Sequence, residues 1–221
     1  MANRSRASSR SESSGFIVGL TGGIGSGKTT VSSALQAHGA AVVDTDLIAH
    51  ALTAPGGAAM PAIAEQFGPA FVQPDGALDR GKMRAVAFAA PAAKQRLEAI
   101  LHPLIRTISE QETARAALSA PYVVLAIPLL IESGKWRERV DRVLVVDCSN
   151  ETQIARVRRR SNLDADAVRK VIAQQATRAA RLDAADDVVV NESDAPALRR
   201  RIARLHDLYA RLAAAGRRRS V

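Results

Sequence analysis

The run Gly22-Gly23-Ile24-Gly25-Ser26-Gly27-Lys28-Thr29 limits what this chain can fold into more than any other feature. It meets the pattern Gly-x-x-x-x-Gly-Lys-Ser/Thr without deviation, and its setting fits as well. A short apolar stretch with β-branched bias, Phe16 to Thr21, precedes it and predicts a buried strand. Val31 and Leu35 follow at helical spacing, with Gly39 as the expected end. Glycines let a backbone fold around phosphate oxygens with its N–H groups turned inward, and the helix dipole adds to their attraction. Lys28 can reach the terminal phosphates and the Thr29 hydroxyl can hold magnesium. The expectation is a nucleoside triphosphate site. Ala41 to Asp44 reads as a second strand, and strand, turn, helix, strand opens an α/β domain with a parallel sheet.

The following residues, 46–119, are expected to be mostly helical. Helices are predicted over Leu47–Leu52 and Met60–Phe67, a turn at Asp75-Gly76, and a helix running to Phe88 capped by Asp79. Leu97, Leu101, Leu104 and Ile108 share a helical face across Pro103, where a kink or restart is expected. Strands return at Tyr122–Ile127, Arg142–Asp147 and Asp187–Val190. Asn150 with Gln153 predicts a capping box for the helix after the fourth strand. Ser161-Asn162 separates it from a further helix starting near Asp164. The last helix is capped by Ser193 or Asp194, has Pro196 in its first turn, and carries Leu198, Ile202, Leu205, Tyr209 and Leu212 on one stripe.

Composition excludes several classes. The single cysteine, Cys148, rules out a disulfide framework or a cysteine-built metal centre and fits a reducing, cytoplasmic setting. No apolar run is long enough to span a bilayer, and residues 1–14, with Arg4, Arg6 and Arg10 among serines, have no apolar core for a secretory signal. The net charge of +9 invites a nucleic-acid reading, but +2 lies in residues 1–14 and +3 in Arg217–Arg219, leaving +4 between the tails. That excess suits a pocket for phosphorylated ligands better than a nucleic-acid face. Both tails are expected to be solvated and disordered.

Several residues carry candidate chemistry. No Asn-Lys-x-Asp segment selects guanine, and no Leu-Ser-Gly-Gly run marks a transporter ATPase. Asp44-Thr45-Asp46 follows the second strand, and ligands of open parallel sheets bind beyond the strands' carboxyl ends. If the strand continues, alternation puts both aspartates on one side. One would activate a hydroxyl and the other order magnesium; the competing reading makes Asp46 a helix cap at Leu47. Arg156, Arg158, Arg159 and Arg160 form a cluster suited to a lid over phosphates, or to a solvated face. Of four histidines with no metal-ligand spacing, only His102 in its apolar helix invites a functional reading.

In sum these residues resemble the dephospho-coenzyme A kinase family. Gly19 to Thr30 matches its P-loop, and Val43-Asp44-Thr45-Asp46 its Asp-Ala-Asp element with Thr45 in place of alanine. Leu101-His102-Pro103, Ile127-Pro128-Leu129-Leu130-Ile131-Glu132, Val145-Val146-Asp147 with Gln153 and Arg156, and Gln175, Arg181 and Ala185–Asn191 match further blocks in order, from about 16 to 212. The resemblance implies a P-loop fold of the nucleoside monophosphate kinase type: a five-stranded parallel sheet with helices on both faces, a helical acceptor-binding subdomain and a lid. It divides residues 15–216 into a core (15–54, 120–150, 185–216), a coenzyme-binding subdomain at about 55–119 and a lid at about 151–184, between an N-terminal tail, 1–14, and a basic tail, 217–221. It implies phosphoryl transfer from ATP, with Mg2+, to the 3′-hydroxyl of dephospho-coenzyme A. The sequence does not give the oligomeric state, for which a monomer is the expectation, and composition and charge point to neither a membrane nor a specific nucleic acid as partner. Asp46, Lys28 and Arg156 become catalytic. Gly23, Ile24, Gly25, Ser26, Gly27, Lys28, Thr29, Thr30 and Asn191 bind the nucleotide. Asp44, His102, Pro128, Leu129, Glu132 and Arg160 serve the acceptor, and Thr29 and Asp44 the metal. The rivals are another small-metabolite kinase, such as a gluconate or shikimate kinase, which should lack the Leu-His-Pro and Pro-Leu-Leu-x-Glu elements, and a nucleic-acid-binding ATPase.

Overall fold

The computed structural model describes residues 15–161, 163–192 and 194–218. The tail 1–14, Asn162, the alternative cap Ser193 and residues 219–221 of the basic tail lie outside the described residues. In chain order the elements are β1 (Ile17–Gly22), α1 (Lys28–Ala37), β2 (Ala41–Asp44), α2 (Thr45–Leu52), α3 (Met60–Phe67), α4 (Arg80–Ala89) and α5 (Pro91–Ala117). They continue as β3 (Val123–Ala126), α6 (Leu130–Ser133), β4 (Arg142–Asp147), α7 (Asn150–Ser161), α8 (Ala165–Ala173), α9 (Arg178–Asp183), β5 (Asp187–Val190) and α10 (Ala195–Arg217). Contacts divide the chain into two compact units, one running to Val43 and resuming at Thr113, the other spanning Asp44–Glu112.

The first unit is built on a five-stranded parallel sheet in the order β2-β3-β1-β4-β5. β1 is central, with Gly19 opposite Leu125 on one side and Val143 on the other. Its burial on both faces explains why its sequence is a continuous apolar run and not an alternating one. On one face Val18, Leu20, Val124, Leu144, Val146 and Val189 join Val31 and Leu35 of α1 and Leu198, Ile202 and Tyr209 of α10 in one core. On the other face Gly19 makes room for α6, since a Cβ there would lie 2.7 Å from Leu130 Cδ1. A polar clasp ties α10 to the sheet edge. Asp187 accepts the Tyr209 hydroxyl at 3.0 Å and pairs with Arg142 at 2.7 Å and 3.1 Å. Burial, with the Asp187 charge second, raises the Tyr209 phenol well above its ordinary range, so it stays a donor.

The second unit is helical apart from one antiparallel bridge, Val72 to Leu78. Asp79 caps α4 as expected, accepting from Lys82 N at 2.9 Å, and that hydrogen bond leads the causes holding its carboxyl below the usual range. Arg96 stacks over Phe67 at 5.0 Å, and Phe67 meets Phe71 edge-on.

Three local expectations are corrected. The chain does not restart at Pro103: α5 runs through it as one helix, because proline costs the N–H that would reach Ala99 but leaves the flanking turns in place. Ser149, not Asn150, caps α7, its Oγ accepting from Thr152 N at 3.2 Å, while Gln153 is buried with Nε2 toward Cys148 O. The strand does not continue through the aspartate pair. β2 ends at Asp44, whose Oδ1 accepts from Asp46 N at 2.8 Å and Leu47 N at 3.4 Å, so Asp44 caps a helix that begins at Thr45 and Asp46 lies in its first turn. A helix start needs acceptors for its orphan N–H groups, and the nearer aspartate supplies them.

The α10 stripe gives a direct check on the core. Ile202 is 1% exposed, so Ile202→Ala is expected to lower unfolding stability by about 2–5 kcal/mol, read from urea denaturation. A loss under about 1 kcal/mol would show that α10 does not seal the sheet.

Candidate active site

The site is built at the carboxyl end of the central strand, where the order of connections reverses and an open sheet leaves a crevice. β1 ends at Gly22, residues 23–27 turn, and α1 starts at Lys28. Gly27 is the N-cap at φ 95°, and no side chain caps this helix. Asp44, Asp79, Ser149, Asp164, Thr177 and Asp194 hold the first N–H groups of α2, α4, α7, α8, α9 and α10, while α3 and α6, like α1, have no side-chain cap. At α1 the corresponding donors are left for an anion. Two glycines are required by close approach. A Cβ on Gly22 would lie 2.5 Å from Val146 O, and one on Gly27 would lie 2.2 Å from Asn191 Nδ2 at a backbone angle that only glycine adopts easily.

The loop's outer side is held by side chains from distant segments. Asn191 Nδ2 donates to Ser26 O at 2.7 Å. Arg156 donates to Ser26 O at 3.3 Å, to Asn191 O at 2.9 Å and to Glu192 O. The turn after β5 is fixed in its own right: Glu192 accepts from Ser149 N and the Thr152 hydroxyl, and the latter leads the causes that lower its carboxyl pKa. Lys28 Nζ donates to Gly22 O at 2.8 Å, so the ammonium lies at the start of the loop. Thr29 and Thr30 are exposed in the first turn of α1. Ser26 Oγ and Gln153 Oε1 are buried without hydrogen-bond partners.

The segment between α8 and α9 closes on the same loop, and its contacts were not anticipated. Gln175 Oε1 accepts Ile24 N at 2.9 Å, and Glu132 accepts Ala176 N at 2.8 Å. Arg178 forms a two-pronged pair with Asp147, at 2.9 Å and 2.6 Å, and this pairing raises the guanidinium pKa. Arg181 is 5% exposed. Gln175, Arg178 and Arg181 also border a cavity of about 220 Å³. Gln175 and Arg181 stand in blocks the resemblance already marks, and Thr177 as a cap with arginines one and four residues later is the local signal for Arg178.

Of the other expected residues, Pro128 accepts from Thr21 Oγ1 at 3.2 Å through its carbonyl, Leu129 is 47% exposed, and Arg160 is exposed near the end of α7. Lys28, Thr29, Asn191, Arg156 and Glu132 thus sit in the first unit with the loop. Asp44, Asp46 and His102 belong to the second unit, at the start of α2 and in α5. Among the described residues, no group of three or more His, Cys, Asp or Glu could hold a metal ion, and no helix is long and apolar enough to cross a membrane. Burial raises the Cys148 thiol pKa, which keeps it protonated and unreactive.

A parallel sheet of this order with a phosphate loop after its central strand defines a P-loop kinase. Comparison with known proteins narrows the class. The sequence profile of a family described as dephospho-CoA kinase matches residues 16–197. A dephospho-CoA kinase from Burkholderia lata is 58% identical over 203 residues, covering 91% of this chain and all of the relative. One from Cupriavidus pinatubonensis is 54% identical over 201 residues, covering 90% of this chain and 97% of the relative. Among solved structures, TT1252 from Thermus thermophilus superimposes with a TM-score of 0.75 at 34% identity, over 88% of this chain and 98% of that one. A dephospho-CoA kinase from Campylobacter jejuni, at 20% identity and a TM-score of 0.61 over 87% of this chain and 96% of that one, shares the fold. The chain belongs to the dephospho-CoA kinase family, the kinases of the final step of coenzyme A biosynthesis.

The fit between Gly27 and Asn191 can be measured through a double-mutant cycle. Gly27→Ala is expected to cost about 1–3 kcal/mol for its backbone angle and contact together. In an Asn191→Ala background the cost should shrink, because the atom the new methyl strikes is gone. Equal costs in thermal unfolding would place the strain in the backbone alone.

Proposed function

We propose that this chain transfers the γ-phosphoryl group of ATP to the ribose 3′-hydroxyl of dephospho-coenzyme A, giving coenzyme A and ADP. The observation that carries the reading is the uncapped start of α1 inside a loop whose glycines cannot carry side chains. Backbone N–H groups of residues 23–30, apart from Ile24 N and Ser26 N, which Gln175 and Gly23 O engage, then cradle the phosphates, with Lys28 on the β- and γ-oxygens. Asn191 and Arg156, both joined to the loop's carbonyls, keep its N–H groups turned toward the nucleotide, and the exposed Arg160 contributes charge from the lid segment. Asp46 is assigned as the base. As its carboxylate takes the hydroxyl proton, the 3′-oxygen bonds to the γ-phosphorus, the bond from that phosphorus to the β–γ bridging oxygen breaks, and ADP leaves.

Magnesium is assigned to Thr29 and Asp44 by resemblance, and each has oxygen chemistry that suits it. Thr29 offers an exposed hydroxyl at the start of α1, and Asp44 uses only Oδ1 in capping α2, leaving Oδ2 for a ligand. When bound, it neutralises developing charge on the β- and γ-oxygens. His102, Pro128, Leu129 and Glu132 are assigned to the acceptor side by resemblance. The reading is of a cytoplasmic enzyme that works as a monomer on a small-molecule acceptor, with no specific nucleic acid and no membrane.

Following ADP release with dephospho-coenzyme A, gluconate, shikimate and nucleic acid as acceptors tests the whole reading; turnover on any of the other three alone would overturn it. Lys28→Ala should unfold near the parent temperature yet lose at least about 10²-fold in kcat/KM, since its charge serves the phosphates more than the helix.

The roles of the two aspartates separate in a paired experiment. Asp46→Asn is expected to lower kcat by at least about 10²-fold with ATP affinity changed only a few-fold. Asp44→Asn should instead be partly relieved by added magnesium. An Asp46→Asn enzyme within about tenfold of the parent, beside an Asp44→Asn enzyme dead at every magnesium concentration, would move the base to Asp44.

A further inference from the structure

Arg181 is a buried cation with an unusual set of neighbours. It is 5% exposed, and its guanidinium donates to Ala176 O, at 2.5 Å. Among the described residues it forms no ion pair, whereas Arg178 three positions earlier is matched to Asp147, itself only 5% exposed. Buried charges are retained when something neutralises them. What stands beside Arg181 is the phosphate loop: a Cβ on Gly23 would lie 3.1 Å from Arg181 Nη2 and 2.7 Å from Gln153 Oε1.

The position along the loop identifies which phosphate is concerned. A P-loop lysine serves the β- and γ-phosphates, and Lys28 Nζ lies 2.8 Å from Gly22 O. The Gly22–Gly23 end is therefore the γ end. Arg181 is also held against drift. Thr177 caps α9, Gln175 is bonded to Ile24 N, and Glu132 to Ala176 N, so the segment that carries the guanidinium is tied to the loop it faces.

We propose that Arg181 is a further catalytic residue, whose guanidinium contacts the γ-phosphoryl oxygens and neutralises their charge during transfer. The inference rests on the kinase reading above and adds no reactant to it. The γ-phosphorus still gains the acceptor oxygen and loses the β–γ bridging oxygen, the hydroxyl proton still goes to Asp46, and Arg181 remains protonated throughout.

The test compares nucleotides that differ only at the γ position. Arg181→Met is expected to weaken a non-hydrolysable ATP analogue at least about tenfold by calorimetry while changing ADP less than about threefold. It should lower kcat at least about 10²-fold, as loss of a donor to developing charge does. The ligand-free thermal midpoint should hold or rise, because an unmatched buried charge has been removed. Arg181→Lys keeps the charge but not the planar fork and is expected to show the same selectivity for the analogue over ADP, with kcat down at least about tenfold. Equal loss of both nucleotides in Arg181→Lys, or kcat near the parent's in either variant, would overturn the proposal and leave Arg181 a structural residue. Because the nucleotide measurements need no acceptor, they stand apart from the kinase reading: a parent enzyme inactive on dephospho-coenzyme A defeats that reading, whereas an active parent with unselective variants defeats only this one.

Discussion

Everything at this site depends on a glycine-rich loop whose carbonyls are held in place by side chains around it. A short glycine-rich segment has no intrinsic reason to keep that arrangement, since glycine loses more conformational freedom on ordering than any other residue. The carbonyl side supplies the reason. Ser26 O is held by both Asn191 and Arg156, and Gly22 O by Lys28. Each of these bonds satisfies a carbonyl of the loop, while Ile24 N is held by Gln175 and Ser26 N by Gly23 O. The Ser26 end of the loop is thus fixed by Asn191 and Arg156, from outside the loop.

Those side chains come from the far side of the sheet order. β4 leads to α7 and Arg156; β5 leads to Asn191 and then α10. Parallel pairing brings both connections out at the same edge as the loop after β1, so the register of three strands sets the alignment of the latch. The apolar faces that fix this register, and the clasp of Asp187 with Arg142 and Tyr209, therefore reach the chemistry through geometry. A change in that core acts on the loop by moving the strand ends, even where no catalytic atom is near.

Charge is handled in two ways within the same neighbourhood. Asp147, almost fully buried, is satisfied internally by both prongs of Arg178. Arg181, equally buried, has only a carbonyl. A buried pair that is well matched is close to neutral in its effect on stability, while an unmatched charge is costly. The contrast gives the α8–α9 segment one arginine that fastens it to the sheet and one that remains available to an anion.

The sequence by itself determined the strand-loop-helix start, the helical character of the second unit and the α10 stripe, because each is written in contiguous residues: a motif, a 3.6-residue period, a cap. It went wrong where two residue types compete for one local job. Asp44 and Asp46 both suit a helix start, Ser149 and Asn150 likewise, and only the path of the backbone decides between them. Pro103 reads as a kink or restart because one hydrogen bond must be lost there, and the restart does not occur, since α5 continues through it as one helix. What tertiary structure alone decided is which distant side chains complete the loop. Gln175 meets Ile24 across 151 positions, Asn191 meets Ser26 across 165, and Arg181 comes up against Gly23. No periodicity encodes such pairings. They exist because parallel strands deliver their carboxyl ends to one edge, and that is a property of how the chain is folded in space, not of the order of its residues.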